Sequence, residues 1–323
     1  MSASITAIIL TYNEEIHIRR CIENARCYAT DIFVVDSFST DNTVSIAREM
    51  GANVYQHAFT FHAEQFNWAL EQLPLRTEWI WKQDADEYLS DALIAEIQRR
   101  LPLMPDDVSG MTAPCLRVFM GKYIKHGILP LILLRLFRRG RACVENSRMD
   151  EHIVVTSGRI ETFVNPFYDD NLNGLTFWTA KHNGYATREA SDLLVMEYFP
   201  DKHGVNNSGK HSARVRRGKQ RYVKLPLFWR AFAFFVYRYF FRLGFIDGKE
   251  GFLWHFLQGF WYRALADAKV FELKKRLNFD DEKIRQYVEE NYLTPFNGGG
   301  KEPITPFSLA AVPRLQERRK RAA

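Results

Sequence analysis

Asp84 and Asp86 are carboxylates one residue apart, placed just after the apolar run Trp79-Ile80-Trp81. Acids at i and i+2, where a strand frays into a loop, can both turn toward one cation. Their hard oxygens suit Mg²⁺ or Mn²⁺, ions that also take oxygens from a substrate diphosphate. One reading of Lys82-Gln83-Asp84-Ala85-Asp86-Glu87 is therefore a metal–diphosphate site, and the other is an acidic turn. Further along, Met149-Asp150-Glu151-His152 sets three proton carriers in a row ahead of strand-like Ile153-Val154-Val155. On a strand His152 points away from Glu151, as a core or surface histidine would. Arg135 and Arg138 lie in and after the strand-like Leu133-Leu134-Arg135-Leu136-Phe137. They are open either to contact with a phosphate or to duty as edge charges.

Such acids need a sheet edge to hold them. Ser4 to Thr11 is a continuous β-branched apolar run, as expected of a central parallel strand buried on both faces. It ends in Tyr12-Asn13-Glu14-Glu15 and a helix follows. Ile32 to Val35 is a second strand, delivering the polar loop Asp36 to Thr43. A helix from about Val44 to Met50 stops at Gly51, a fitting C-terminal glycine. Short strands follow at Asn53-Val54-Tyr55 and Trp79-Ile80-Trp81, with a helix around Phe66 to Leu70 between them. Strands alternating with helices predict an α/β wound sheet, and such sheets bind ligands at the carboxyl ends of their strands. Gly110 to Pro114 and Leu116 to Met120 read as two more strands, after a helix from Asp91 to Leu101. No glycine-rich phosphate loop follows any strand, which argues against a nicotinamide dehydrogenase and a P-loop ATPase.

The 323 residues are 46% hydrophobic, enough for a sizeable core, and 4 cysteines without pairing or zinc spacing fit a reducing compartment. Met1 to Ser4 is too short and polar for a leader, which predicts a cytoplasmic chain. The net charge of +6 concentrates late, in Lys202, Lys210, Arg214, Arg216, Arg217, Lys219, Arg221 and Lys224. The aromatic run Phe228 to Arg242 follows, with Arg230, Arg238 and Arg242 on about a third of a helix circumference. Gly244 to Gly248 breaks it, and a second aromatic helix runs from about Phe252 to Leu273. The run is too short and too charged to span a bilayer. It reads as a helical pair lying in a membrane interface, arginines toward anionic headgroups, or as a buried hairpin on the core. Nothing before it resembles a nucleic-acid-binding module.

Four motifs stand in register: Thr11-Tyr12-Asn13-Glu14; Val35-Asp36-Ser37 with Ser39 to Thr43; Asn67-Trp68-Ala69-Leu70; and Asp84-Ala85-Asp86-Glu87. Together they resemble family 2 glycosyltransferases. The resemblance covers roughly the first 190 residues and implies a GT-A fold, a mixed α/β sheet that binds a nucleotide sugar. It implies that Thr11, Tyr12, Asn13 and Glu14 lie against the nucleotide, with Glu14 near the ribose. Asp36 would accept a hydrogen bond from the base, as uracil N3–H offers and guanine also could; a helix cap is its plainer reading. Asn67 is counted among the substrate-binding residues, and Asp84 is placed near the ribose or sugar hydroxyls. Asp86, with Asp84, would hold Mn²⁺ or Mg²⁺.

Inverting transfer needs a base to take the acceptor hydroxyl proton. Glu151 matches the glutamate of the family's Val-x-Glu position, with Asp150 second. The family histidine that can ligate the metal has no counterpart in Tyr168 to Asn173, where Asp169, Asp170 or water would substitute; His182 is the nearest. Lys181-His182-Asn183-Gly184-Tyr185-Ala186 is similar to a helix start in the family. No Gln-x-x-Arg-Trp motif of processive members is present.

The expected organisation is a catalytic domain over 1–195, a basic and aromatic helical region over 196–292, and a disordered tail over 293–323. The expected activity is inverting, metal-dependent, non-processive hexose transfer from a nucleotide sugar, UDP-linked by preference, to a glycan or lipid-linked glycan at the inner face of the cytoplasmic membrane. A polyprenyl-phosphate sugar transferase and a catalytically silent glycan- or membrane-binding protein are the alternatives.

Overall fold

The computed structural model describes residues 4–128, 131–144, 153–200 and 222–293. Asp150, Glu151, residues 202–221 of the basic stretch and all but the first residue of the tail expected over 293–323 lie outside them. The chain divides into two compact units, Met1–Asn173 and Gly174–Ala323. The division falls before the expected boundary at residue 195.

In the first unit, β1 (Ile5–Thr11), β2 (Asp31–Asp36), β3 (Asn53–Gln56) and β4 (Trp79–Asp84) form the parallel half of one sheet, in the order β3-β2-β1-β4. Helices α1 (Ile18–Ala25), α2 (Thr43–Glu49) and α3 (His62–Gln72) connect them. β1 is buried along its whole length, as its unbroken apolar run requires. Ile9 packs with Ile18, Cys21 and Ile22 of α1 and Ala47 of α2. Ile8 and Leu10 pack on the other face, with Ala63, Phe66 and Ala69 of α3.

The second half of the sheet is antiparallel and mixed. After β4 come β5 (Glu87–Leu89), α4 (Asp91–Arg100), β6 (Val108–Phe119), β7 (Lys122–Ile124) and β8 (Leu131–Arg138). Then follow β9 (Ala142–Val144), β10 (Ile153–Val155), β11 (Arg159–Thr162) and β12 (Phe167–Asp170). The order continues from β4 as β8-β6-β12-β5, with β7 and β11 also on β6. β4 and β5 are joined by only Ala85 and Asp86, yet they stand at opposite ends of this half. The sheet must curl to let both conditions hold, and the curl brings β12 toward the end of β4.

β6 is one strand where two were expected. Pro114, which has no N–H to donate, lies within it. It falls where β6 changes partner from β11, which ends opposite Thr112, to β12, which begins opposite Cys115. On the other edge of β6, Pro114 stays opposite Ile132 of β8. Met120 and Gly121, both at positive φ, then close the hairpin to β7 in the two-residue form that left-handed residues favour.

In the second unit, α5 (Leu175–Tyr198) carries the 181–186 motif in its interior, rather than at a helix start as expected. α6 (Trp229–Val236) runs on through a wide turn over Tyr237–Phe241, and a tight turn spans Gly244–Asp247. α7 (Gly248–Trp254) continues through a second wide turn, His255–Trp261, into α8 (Tyr262–Arg276), and α9 (Asp281–Val288) follows. Ala186, Ala190 and Leu194 of α5 share a core with Ala266, Val270 and Leu273 of α8 and with Ile284 and Val288 of α9. That packing is why α5 belongs to this unit.

The arginines of the aromatic run do not form the outward polar face that was expected. Arg230 and Arg238 are buried. Arg230 donates through Nε to Asp267 at 2.9 Å and stacks on Tyr222. Arg238 contacts Gln258 and stacks on Phe234. Of the three, only Arg242 is exposed. Among the described residues no helix is long and apolar enough to cross a membrane.

Candidate active site

Parallel pairing lines up the strand ends. Thr11 lies opposite Asp36, Asp36 opposite Gln56, and Leu10 opposite Asp84. The polar residues that end β1, β2, β3 and β4 therefore share one edge, the carboxyl edge of the sheet.

The first loop is knitted to the second. Asn13 has φ 56°, its N–H donates to Ser39 Oγ at 2.8 Å, and its Oδ1 accepts from Thr40 N–H at 2.8 Å. Glu14 N–H donates to Thr43 Oγ1 at 2.7 Å. Asp36 is fully buried beneath these loops. It accepts from Thr11 Oγ1 at 3.1 Å, Ser39 N–H at 2.9 Å, Gln56 Nε2 at 3.1 Å and the Ser39 hydroxyl. Four donors fill both its oxygens, so Asp36 holds the loops that face the edge. It does not cap α2. Tyr12 is exposed beside it.

Asp84 ends β4 between two cations. Lys82 Nζ is 3.3 Å from Oδ1 and Arg135 Nη2 is 3.0 Å from Oδ2. Burial pushes the Asp84 carboxyl up, but Lys82, Arg135 and His62 outweigh it and hold the group well below the usual carboxylate range. Arg135 also pairs with buried Glu87 and lies over the Phe167 ring at 5.3 Å. Arg135 is thus spent on positioning Asp84 and Glu87 and does not reach out as a phosphate ligand. Arg138 donates to the Val108, Met104 and Pro105 carbonyls at the far end of β4, where it fastens a loop.

Asp86 accepts from Asn171 Nδ2 at 3.0 Å. Its carbonyl accepts from Asp170 N–H at 3.0 Å, which ties the turn to the end of β12. Asp170 pairs with Arg20 at 2.6 Å, and Asp169 with Arg117 at 2.6 Å. Burial raises the Asp169 pKa; Arg117 opposes this, and Asp86 and Asp84 raise it further. Negative charge is crowded at this edge, a condition that a cation relieves.

Among the described residues no three His, Cys, Asp or Glu side chains gather closely enough to hold a metal alone. The donor set still fits Mg²⁺ or Mn²⁺. Such an ion, shared with a diphosphate, takes one or two protein carboxylates and fills its shell with phosphate oxygens and water. Asp86 and Asp84 are the carboxylates available for it. His182 stacks on Trp178 within α5 and its Nδ1 lies 2.9 Å from the Trp178 carbonyl.

Asn67 does not face the edge either. Its Nδ2 donates to the Val144 carbonyl at 2.9 Å and its Oδ1 accepts from Val144 N–H at 3.0 Å. It clamps β9 to α3. β9 pairs with β10, Val144 opposite Ile153, and Asp150 and Glu151 belong to the segment between them, outside the described residues.

Sequence reasoning missed His17. It is fully buried, with Nδ1 2.5 Å from Glu14 Oε2 and Nε2 accepting from Leu172 N–H at 2.8 Å. The Leu172 bond takes the lone pair of Nε2, so the proton of a neutral ring is on Nδ1, donating to Glu14. His17 thereby links the first loop to the segment after β12. The available signal was the Glu14–His17 spacing of three on a starting helix. The partners Arg20 and Arg117 carried no local signal, and Glu87 stood in the Asp84–Glu87 motif with nothing local to show its pairing with Arg135.

Residues 6–128 match the model of glycosyl transferase family 2. The chain is 27% identical over 303 residues to an uncharacterized glycosyltransferase of Rickettsia bellii, covering 86% of this chain and 90% of that one. It is 28% identical over 296 residues to the lipopolysaccharide core biosynthesis glycosyltransferase LpsC of Rhizobium meliloti, covering 86% and 96%. Among solved structures, glucosyl-3-phosphoglycerate synthase from Mycobacterium tuberculosis is similar over 36% of this chain and 44% of that one, at 18% identity and a TM-score of 0.30. The family model covers the loops and acids of the sheet edge, and the relatives that cover most of the chain are named glycosyltransferases, so this chain resembles glycosyltransferase family 2.

Proposed function

We propose that this enzyme transfers a hexose from a nucleotide diphosphate sugar to a hydroxyl of a surface glycan or lipid-linked glycan, with inversion and one sugar per encounter. The observation that carries the reading is the carboxylate edge after β4. There Asp84 is held ionised by Lys82 and Arg135, and Asp86 projects from the adjoining turn. The name of the LpsC relative, a lipopolysaccharide core biosynthesis glycosyltransferase, supports a lipopolysaccharide-type acceptor.

Asp86 and Asp84 would hold Mn²⁺ or Mg²⁺, whose chemistry when bound is to neutralise charge on the departing diphosphate. The loops of Thr11 to Glu14 and Ser37 to Thr43 would seat the nucleoside. A uridine-linked donor is the first to try. Asp36 would accept uracil N3–H only by releasing one of its internal donors, Gln56 or Ser39. Glu151 would take the acceptor hydroxyl proton as that oxygen bonds to the anomeric carbon and the bond to the diphosphate oxygen breaks; Asp150 is the second candidate.

The test is a thermal-shift panel of UDP-, GDP-, dTDP- and CMP-sugars with and without Mn²⁺, on the wild type and on Asp86→Ala. A ligand of the native state raises the midpoint with RT ln(1 + [L]/Kd). A Mn²⁺-dependent rise with one nucleotide, absent in Asp86→Ala, is expected. No rise with any donor overturns the reading of this edge as the donor site. Turnover of Glu151→Ala then separates acceptors. It should collapse by roughly 10²–10⁴-fold for a hydroxyl and be spared for a phosphate such as polyprenyl phosphate.

A further inference from the structure

The second unit turns its aromatic run inside out. Arg230 and Arg238, the polar residues, are buried against Asp267 and Gln258. The apolar residues face outward. Trp229 is 71% exposed, Phe241 75%, Phe240 54% and Ile246 52%, and Tyr237, Leu243 and Phe245 are close to half exposed. Five of these seven lie between Phe240 and Ile246, so they form one tip at the turn between α6 and α7. Contiguous apolar surface of this kind is uncommon on a soluble protein unless something covers it.

The tip is also built. Leu243 and Gly248 bracket the turn at φ 60° and 73°. A Cβ on Gly244 would collide with the buried His255 ring, and one on Gly251 with Asp247. Tyr239 packs edge to face against Phe240, Phe245 and Phe252. Backbone and ring contacts thus fix the shape that presents Phe241, Phe245 and Ile246 outward.

Charge says what covers it. From 222 to 261 the exposed charged residues are Lys224, Arg242 and Lys249, all cations. The two acids of that stretch are Asp247, which is buried, and Glu250, which is half-buried. Arg242 and Lys249 flank the tip in sequence, and the chain just before α6 is strongly basic from Lys202 to Lys224. Aromatic and aliphatic side chains at a tip, flanked in sequence by Arg242 and Lys249 and with no exposed acid among residues 222–261, match the interface of an anionic bilayer. There rings sit among the headgroups and each cation gains from lipid phosphates.

We propose that the turn from Tyr237 to Lys249 inserts into the surface of an anionic lipid bilayer, Phe241, Phe245 and Ile246 entering the acyl boundary and Arg242 and Lys249 remaining at the phosphates. The proposal stands independently of the donor chemistry.

The experiment is flotation of the full-length protein with vesicles of phosphatidylcholine alone or mixed with phosphatidylglycerol, at low salt and at about 0.5 M NaCl, which screens charges beyond a few ångströms. The wild type should float with anionic vesicles and keep a salt-resistant fraction. Phe241→Ser/Ile246→Ser should lower partition in that fraction by roughly tenfold or more. Arg242→Glu/Lys249→Glu should lose binding chiefly at low salt. Because the tip residues are exposed, both variants should keep the wild-type circular dichroism melt, which serves as the folding control. Three outcomes overturn the proposal. The wild type fails to float; its binding is wholly salt-labile and unchanged in the tip variant, so that the basic stretch alone is responsible; or the wild type is a dimer that the tip variant converts to monomer with no effect of vesicles.

Discussion

Arg135 decides how Asp84 can work. Its guanidinium lies between two carboxylates and over an aromatic ring, in a nearly buried position. Removing one member of such a set leaves charge without compensation, which typically costs about 3–5 kcal/mol. Arg135→Met is therefore expected to lose stability on that order in urea unfolding at pH 7. It should also weaken the Mn²⁺-dependent donor shift, because Asp84 loses the contact that aims it. Unchanged stability would mean that Asp84 and Glu87 find water instead. Asp84 and Asp86 were legible in sequence because a short apolar strand announces its own end and two acids mark it. The role of Arg135 was not. Its partners stand 51 and 48 residues away, and nothing local distinguishes a buried fork from a phosphate clamp. Asn67 misled for the same reason, since its partner Val144 lies 77 residues on.

At the scale of elements, the curl of the sheet has to be held if β12 is to reach the turn after β4. Glu96 of α4 does part of this. Its nearly buried carboxylate accepts from Val164 N–H at 3.1 Å, from Asn165 N–H at 3.0 Å and Nδ2 at 2.9 Å, and from Arg100 at 2.8 Å. These bonds fix the two residues that lead into β12. Burial pushes the Glu96 carboxyl up, but the Asn165, Arg100 and Val164 hydrogen bonds prevail and lower it. A carboxyl lowered on folding adds stability above its unfolded value, about 4.3, and loses it as pH falls through the folded value. Glu96→Gln should thus destabilise by about 1.5–3 kcal/mol at pH 7, the range for hydrogen bonds to a charged group. The gap from wild type should shrink below about pH 4. A gap that stays constant from pH 7 to pH 3 would assign the loss to packing alone. The alternating strands and helices of the parallel half were legible from residues 5 to 84 because each period stands alone. The long β6 was not, because only its partners, β8 on one edge and β11 then β12 on the other, show that the two runs are one strand.

For the whole molecule, the proposed donor edge lies in the first unit and the aromatic tip in the second, so each can be perturbed by its own substitutions. The arrangement of the second unit was the least legible part. A helical wheel places Arg230 and Arg238 on a polar face, but Asp267, 37 residues beyond Arg230, draws that arginine inward. Asp267 is fully buried, and besides Arg230 it accepts from Phe228 N–H at 2.8 Å, fixing the residue before α6 at its positive φ of 68°. Asp267→Ala should cost about 3–5 kcal/mol by stranding a buried guanidinium. Arg230→Met with Asp267→Leu should recover much of that loss, because a well-packed apolar pair can replace a buried ion pair. A chain of two units need not unfold in one step. In calorimetry, Asp267→Ala is expected to lower one transition, and donor with Mn²⁺ to raise another. If both instead move a single coincident transition, the edge and the tip are coupled through one cooperative fold, and a bilayer seated on the tip would then stabilise the donor site as well.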